Sequence, residues 1–353
     1  MAKQELSIII PVFNGQDYIG RCLDSVLNQS GAQKHEIIVV NDGSTDNTGK
    51  IVSKIAKNNK NIKLINQKNM GVSAARNNGM RHSYGKYVTF IDADDIVGVK
   101  ARAFEPAFYE EYLNGNLLIG NGYHYAKTIL PDWLTTNYFD NLLYATRYTN
   151  ADVIFGGKVT VNFGNNHVME HIYQNDYIYT SDPDEKTIIL NHADIRESAN
   201  FAIYNKNMLR KHKLNFIQNM QLDEDMLFCM LAVLYSDQVA TVKDATYLYN
   251  RHENTLSNIT DTTDKTKKFA LATIQRYSVL LNELKNKPKH AQMFNCWMKK
   301  FSRQGVKYAN LYPQEFAPHK CAFECSKSVC GNCAVARNMR MQICENITNH
   351  IPR

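Results

Sequence analysis

The chain has 353 residues, of which 44% are hydrophobic and 21% are charged, and these proportions exclude a largely disordered protein. No apolar run approaches the roughly 18 residues that a membrane-spanning helix needs. The 41 basic and 34 acidic residues give a net charge of +7. This surplus suits anionic small molecules, an anionic bilayer surface or nucleic acid, and it does not choose among them.

A signal peptide is not expected at the start of the chain. The apolar stretch over 6–13 is short, contains Pro11 and lacks a small-residue cleavage site. The eight cysteines are then expected to be thiols rather than disulfides. We therefore expect a cytoplasmic location, including a peripheral one at the inner face of the cell membrane.

The first hundred residues alternate between strand and helix patterns. Runs rich in β-branched residues predict strands over 6–12, 36–40, 62–65 and 87–91. Apolar residues at helical spacing predict helices over 18–27, from Asp46 onward and over 72–81. This alternation predicts an α/β fold with a mostly parallel sheet that helices cover on both faces. Ligands of such sheets bind beyond the carboxyl ends of the strands.

The rest of the chain is less regular. Residues 99–150 are aromatic, lack a clear period up to about residue 147, and are predicted to be an insertion. Strands that extend the sheet are predicted over 151–155, 158–163 and 168–173. The remaining predicted elements are a helix–loop–helix within 197–249, centred on 222–225, and helices over 262–286 and 288–308 in a helical C-terminal extension, 261–353.

Three carboxylates follow the predicted strand over 87–91, at Asp92, Asp94 and Asp95. They repel one another unless a cation joins them. Mg²⁺ or Mn²⁺ resolves such a cluster, because these ions take oxygen ligands from one or two carboxylates and from phosphates. The alternative is a solvated acidic turn.

Two further polar positions lie where a ligand of this sheet would bind. Asp42 follows the second strand, where its carboxylate can accept from a base N–H or a ribose hydroxyl, or can only shape the turn. Arg76 lies one turn inside the helix predicted from 72. It can approach a ligand or an acidic residue, or it can lie on the surface.

An acidic group, Asp223, Glu224 and Asp225, precedes an apolar helical segment. The helix dipole favours acidic residues in a first turn, which is one explanation of this composition. A carboxylate there can instead act as a general base if it faces the ligand crevice. Farther along, a predicted strand leads into a polar, basic loop with Arg251 and His252, which suits phosphate oxygens.

In chain order, five segments together resemble the inverting glycosyltransferases of family 2, which have the GT-A fold. They are the first strand with Pro11 and Phe13, residues 40–46, residues 71–77, Asp92-Ala93-Asp94 with Asp95, and Glu224-Asp225 with Phe228. The resemblance is dense over about 5–98 and reappears over about 199–258. It implies a nucleotide-sugar-binding half over 1–98 and an acceptor-binding half over 151–260.

The resemblance also implies how the donor would be held. The residues implied to bind the nucleotide are Pro11, Phe13, Asp42, Arg76, Asp92 and Ala93. The implied metal ion is Mn²⁺ or Mg²⁺, with Asp94 and Asp92 as its ligands. The diphosphate would be approached by Arg251 and His252.

The implied reaction is transfer of a hexosyl or N-acetylhexosaminyl group with inversion. Asp225 would be the general base that takes the proton from the acceptor hydroxyl, and Glu224 would orient it. The donor would be a nucleotide sugar, UDP-linked by family preference. The acceptor would be a glycan or lipid-linked saccharide in cell-surface polysaccharide synthesis.

Two features depart from the family pattern, and several rival functions share parts of it. Asn41 replaces the first aspartate of the second motif, and the insertion over 99–150 is longer than usual. A sugar nucleotidyltransferase and a non-catalytic carbohydrate-binding protein are the alternatives. A dinucleotide-dependent oxidoreductase is disfavoured because no Gly-x-Gly-x-x-Gly follows the first strand. A P-loop enzyme is disfavoured because Ile51 and Tyr87 stand where Ser or Thr is needed.

The C-terminal tail is basic and rich in cysteine. Its four clustered cysteines can form a structural Zn²⁺ site or a reduced thiol cluster, and they are Cys321, Cys325, Cys330 and Cys333. The basic residues, with aromatic residues between them, suit contact with an anionic membrane, or form an ordinary solvated surface. No nucleic-acid-binding module is recognisable, so we expect no nucleic-acid partner.

Overall fold

A mixed ten-stranded β-sheet, counted over the described residues, forms the centre of the computed structural model. The structure describes residues 5–98, 136–162, 167–171, 179–182, 186, 198–220, 222–251, 262–285 and 287. Three predicted features lie outside them: His252, the helix over 288–308 and the cysteine cluster of the tail. Most of the predicted insertion over 99–150 does so too.

The first half of the sheet is parallel, as predicted. Its strands have the spatial order β3-β2-β1-β4 and are β1 (Leu6–Val12), β2 (Glu36–Asp42), β3 (Ile62–Gln67) and β4 (Tyr87–Phe90). The connecting helices are α1 (Ile19–Leu27), α2 (Thr48–Asn58) and α3 (Val72–His82). Every residue of β1 and β2 is buried, because the interior strands of a parallel sheet are covered on both faces.

The second half of the sheet joins the first through an antiparallel pair. Strand β9 (Ala202–Asn205) pairs with β4 on one side and with β6 (Val153–Asn162) on the other. Strand β10 (Val239–Arg251) then runs parallel to β6 and pairs with the short β5 (Ile96–Val97). The outer strands are β7 (His167–His171) on β6 and β8 (Tyr179–Thr180) on β10. The prediction that this region extends the sheet is confirmed.

The prediction of two separate strands in one region was wrong. The segments predicted as separate strands over 151–155 and 158–163 form the single strand β6. The irregularity lies on its partner instead, because the register of β10 shifts between Thr241 and Thr246. Gly156 faces this bulge, and its lack of a side chain lets the two backbones approach.

The predicted irregular segment over 99–150 contains a regular helix at its end. Helix α4 (Tyr138–Thr149) packs against β10 and β6. Tyr138, Phe139 and Leu142 are fully buried there. The many aromatic residues obscure the apolar period of this helix and lower its intrinsic helix propensity. Burial of one helix face against the sheet compensates for the lower propensity.

The predicted helix–loop–helix is confirmed, although strands β9 and β10 occupy part of the same segment. Its helices are α5 (Lys206–Lys211) and α6 (Glu224–Tyr235). The prediction of a helix over 262–286 is also confirmed, by α7 (Thr262–Lys285), which packs on α6. Over the described residues, none of the helices combines the length and apolarity needed to span a bilayer.

Gly156→Ala tests the close approach of β6 to the β10 bulge. A Cβ atom at this position would lie 2.2 Å from the carbonyl oxygen of Ala245, which is backbone and cannot rotate away. We expect the free energy of unfolding to fall by about 1–3 kcal/mol, measured by urea denaturation. The control is Gly49→Ala, inside helix α2, where the added methyl group meets only the side-chain amide of Asn41. The free energy of unfolding of this variant should change by less than about 1 kcal/mol. Equal losses in the two variants would contradict this account.

Candidate active site

A buried arginine connects the aspartate-rich turn after β4 to the start of helix α6. Arg76 lies in α3, and its Nη2 is 2.7 Å from Asp92 Oδ1 while its Nη1 is 2.6 Å from Glu224 Oε1. The guanidinium carbon also lies 5.1 Å from the ring centroid of Phe216. Only 3% of the Arg76 side chain is exposed, so these contacts replace its hydration.

The charge of Arg76 is fixed by these partners. Burial by itself lowers the pKa of Arg76, but the negative charges of Asp92 and Glu224 outweigh burial, and the pKa is raised. The guanidinium is therefore positive at every physiological pH. The alternative of a surface position for Arg76 is wrong, because the side chain is buried, and the alternative of an acidic pair is the one observed. Contact of Arg76 with a nucleotide stays a prediction.

Asp92 is held by protein groups on both carboxylate oxygens. Besides the contact of Oδ1 with Arg76, its Oδ2 accepts a hydrogen bond of 2.7 Å from Asn200 Nδ2. Its backbone N–H donates to Tyr247 Oη at 3.2 Å. No motif in the sequence marks Asn200, which lies in a short 3₁₀ turn before β9. The carboxylate of Asp92 thus has a defined orientation at the edge of the sheet.

Asp95, the third aspartate, has a structural role in the same turn. It is fully buried, and it accepts hydrogen bonds from Tyr247 Oη at 2.6 Å and from the Asn250 N–H at 2.8 Å. Burial, with the nearby charges of Asp94 and Asp92, raises the pKa of Asp95 well above its ordinary value. These bonds attach the turn to the carboxyl end of β10.

Asp94 lies between these two anchored neighbours. Its side chain is partly exposed, and its carbonyl oxygen accepts from Asn250 Nδ2 at 3.2 Å. Within the described ranges, no three His, Cys, Asp or Glu side chains are grouped to hold a metal ion. A single carboxylate beside a diphosphate is nevertheless a common Mg²⁺ arrangement, and Asp94 fits that donor set.

Asp42 organises the loop that precedes helix α3. Its Oδ1 accepts from Gln67 Nε2 at 2.7 Å and from the Met70 N–H at 2.9 Å, and its Oδ2 accepts from the Gly71 N–H at 2.9 Å. Gly71 has a φ of 86°, a conformation that L side chains rarely adopt. The contact of Asp42 with a nucleotide base stays a prediction.

The departure at Asn41 has a structural reason. Asn41 Nδ2 donates to Asn66 Oδ1 at 2.9 Å, and Asn41 Oδ1 accepts from the Ser44 N–H at 3.1 Å. An ionised aspartate would retain the second bond but could not donate the first. The asparagine side chain therefore links the ends of β2 and β3.

Two of the residues predicted to bind the nucleotide, Pro11 and Phe13, lie at the carboxyl end of β1. Pro11 is buried within the strand, whereas 51% of Phe13 is exposed just beyond it. Ala93 is partly buried and packs against the core. Arg251 ends strand β10 next to Asn250, whose side-chain amide donates to the Asp94 carbonyl oxygen.

Asp225 lies in the first turn of α6, next to the Arg76 pair. Burial, followed by the charge of Glu224, raises the pKa of Asp225 to about 8, although Arg76 opposes this. Such a pKa lies close to the neutral range in which the pKa of an effective general base is expected. Glu224, predicted to orient Asp225, contacts Arg76 through its carboxylate, and its role toward Asp225 stays a prediction.

Comparison with known proteins identifies relatives over much of the chain. Residues 7–171 match the family model described as glycosyl transferase family 2. Glycosyltransferase GlyA of Streptococcus pneumoniae is 26% identical over 264 residues, which are 73% of this chain and 32% of that protein. The uncharacterized glycosyltransferase EpsJ of Bacillus subtilis is 26% identical over 72% of this chain and 63% of its own. The chain thus spans about a third and just under two thirds of these relatives.

Solved structures share the fold. The crystal structure of S. aureus TarS 1-349 in complex with UDP-GlcNAc aligns with a TM-score of 0.57 and 17% identity, over 98% of this chain and 92% of that one. The mannosyltransferase PcManGT from Pyrobaculum calidifontis, in complex with GDP-Man and Mn²⁺, aligns with a TM-score of 0.51 and 13% identity, over 98% and 86%. At these identities the likeness establishes the GT-A type of fold.

Arg76→Gln tests the energetic importance of the buried ion pairs. The variant leaves Glu224 and part of Asp92 as buried charges without a cation, so we expect the free energy of unfolding to fall by about 3–5 kcal/mol. Arg81→Gln, at an exposed position of the same helix, should change it by less than about 0.5 kcal/mol. In the double variant Arg76→Gln/Glu224→Gln, part of the loss should be recovered. Similar urea midpoints for the two single variants would refute the assignment.

Proposed function

Since residues 7–171 form a family 2 glycosyltransferase domain, we propose that this chain transfers a sugar from a nucleotide diphosphate to an acceptor hydroxyl. The observation that supports this most directly is the Arg76 pair, which brings Asp92 and Glu224 together at one edge of the sheet. That edge lies at the carboxyl ends of the parallel strands, where ligands of such sheets bind.

The donor that we propose is a UDP-linked hexose or N-acetylhexosamine. Phe13 is the exposed aromatic group that a base can stack on, and Asp42 shapes the loop beside it. The complex of TarS with UDP-GlcNAc supports a uridine nucleotide on this fold, and that of PcManGT with GDP-Man makes a guanosine nucleotide the alternative. The acceptor that we propose is a glycan or lipid-linked saccharide.

Mn²⁺ or Mg²⁺ would be held by Asp94 together with the donor diphosphate. The Mn²⁺ complex of PcManGT supports a divalent ion on this fold. When bound, such an ion neutralises charge that develops on the departing diphosphate. We propose that Asp92, which Arg76 and Asn200 orient, lies beside this ion and is its second carboxylate ligand. Arg251 and His252 remain candidates for contact with the diphosphate.

Asp225 acts in this proposal as the general base. The acceptor oxygen bonds to the anomeric carbon, the bond from that carbon to the diphosphate oxygen breaks, and the hydroxyl proton passes to the Asp225 carboxylate. Attack opposite to the leaving group inverts the configuration. The raised pKa of Asp225, caused by burial and by Glu224, suits this step because the carboxylate accepts the proton without a large energy gap.

A screen of nucleotide sugars with Mn²⁺ tests the proposal. We expect one donor to raise the melting temperature and to be hydrolysed slowly, and to be consumed faster when a saccharide acceptor is present. Release of pyrophosphate from a nucleoside triphosphate would instead indicate a sugar nucleotidyltransferase. Sugar binding without any nucleotide binding would indicate a carbohydrate-binding protein.

Asp225→Asn separates the base from donor binding. Because the amide cannot take the hydroxyl proton, we expect kcat to fall about 10²–10⁴-fold while the Kd for UDP changes less than about threefold. Asp237→Asn makes the same chemical change at an exposed position beyond the other end of α6, and it should retain full activity. Near-normal turnover by Asp225→Asn would show that another group is the base.

Asp94→Asn tests the proposed metal ligand. We expect the Mn²⁺-dependent affinity for UDP to fall at least about tenfold, or ~1.4 kcal/mol, because one anionic ligand is lost. Asp17→Asn, an exposed aspartate beyond the end of β1, is the matched control. Isothermal titration of UDP with and without Mn²⁺ gives both values. An unchanged Mn²⁺ dependence in Asp94→Asn would exclude the ligand assignment.

A further inference from the structure

Helix α7 reaches the candidate active site through one buried arginine. This helix lies beyond the residues 7–171 that match the family model. Arg276, in the middle of α7, has 4% of its side chain exposed, and its Nη1 is 2.8 Å from Asp223 Oδ2. Its Nη1 also lies 2.9 Å from the sulfur of Met226, and its Nη2 donates to Thr273 Oγ1 at 3.2 Å.

Two of the residues that Arg276 contacts, Asp223 and Met226, lie on either side of Asp225. Asp223 precedes the first residue of α6 and has a φ of 61°, in the left-handed region that a non-glycine residue adopts at a cost. The backbone N–H of Met226 donates to Asp225 Oδ1 at 2.8 Å. The ion pair with Arg276 therefore fixes the residue before the Glu224-Asp225 pair, and the contact with sulfur restrains the residue whose amide holds the Asp225 carboxylate.

A second polar contact between the described residues of α6 and α7 lies at the other end of α6 from Asp225 and provides a comparison. Tyr235, the last residue of α6, donates through its hydroxyl to Glu283 Oε2. Nearby, Lys287 Nζ lies 3.8 Å from the Tyr235 ring centroid. Helix α7 is thus attached at both ends of α6, and the Arg276 end is the one that meets the acidic first turn.

We propose that Arg276 is a positioning residue, which holds Asp225 in its reactive orientation by fixing Asp223 and Met226. The inference rests on the proposed role of Asp225 as the general base. Arg276 also balances the charge of Asp223, one of the acidic groups beside Asp225; the others are Glu224 and Asp92, and Arg76 faces them from α3. Helix α7 would thereby be part of the catalytic unit.

Arg276→Gln and Glu283→Gln form the test, because each removes the polar contacts of α7 at one end of α6. We expect Arg276→Gln to lower kcat about 10²-fold, as a displacement of about 1 Å at a reacting group does, with the KM for the nucleotide sugar changed less than threefold. Glu283→Gln should retain kcat within twofold. Arg276→Lys, which keeps the charge, should recover part of the loss.

A second measurement reads the loop directly and needs no turnover. Hydrogen exchange of the amides over 224–228 should accelerate in Arg276→Gln and stay unchanged in Glu283→Gln. Asp223→Asn, which tolerates the left-handed backbone, should match Arg276→Gln in exchange and in kcat, and the double variant should add little.

The outcomes separate the inference from the proposed function. If the wild-type chain transfers no sugar, the proposed function is refuted. If hydrogen exchange is then faster only in Arg276→Gln and Asp223→Asn, the positioning of the loop by Arg276 still holds. An active wild type with unchanged kcat in Arg276→Gln would overturn the inference and leave the proposed function intact. Equal losses of kcat and stability in Arg276→Gln and Glu283→Gln would also overturn it, because they would indicate helix docking alone.

Discussion

The buried guanidinium of Arg76 is the constraint on which the candidate site depends. A charge removed from water is stable only with close partners, so Asp92 and Glu224 must remain within hydrogen-bond distance of it. Glu224 is 148 positions from Arg76 in the chain, and Asp92 is 16 positions from it. This requirement brings the turn after β4 and the start of helix α6 together. Asp225 lies at the same place because it follows Glu224 in the chain.

Four carboxylates at this edge shape its loops, its turn and the start of a helix. Those of Asp42, Asp92, Asp95 and Glu224 accept short hydrogen bonds or pair with Arg76. The segments that they fix carry Asp94 and Asp225, whose side chains are partly exposed. A backbone fixed in this way is the arrangement expected of a pre-organised site.

Two long-range contacts extend the framework beyond the residues of the motifs. Tyr247 bonds both to Asp95 and to the backbone of Asp92, so strand β10 helps to set the turn that bears Asp94. Arg276 reaches Asp223 from helix α7. Aromatic packing supports the same region, since Phe216 and Phe228 stack at 4.1 Å beneath Arg76 and α6. The site is therefore built by segments from nearly the whole described length of the chain.

The amino-acid sequence by itself determined the parallel half of the sheet and the position, at its edge, of the aspartates that follow β1's neighbours β2 and β4. These features depend on local periodicity and on turn residues, which neighbouring positions reveal. It did not reveal helix α4, whose aromatic residues obscure the helical period, nor the single strand β6, whose irregularity belongs to its partner. Only the tertiary structure decided that Arg76 pairs with Glu224, that Asn200 holds Asp92, and that Arg276 holds Asp223. Such pairs join residues far apart in the chain, and their proximity results from how the core packs.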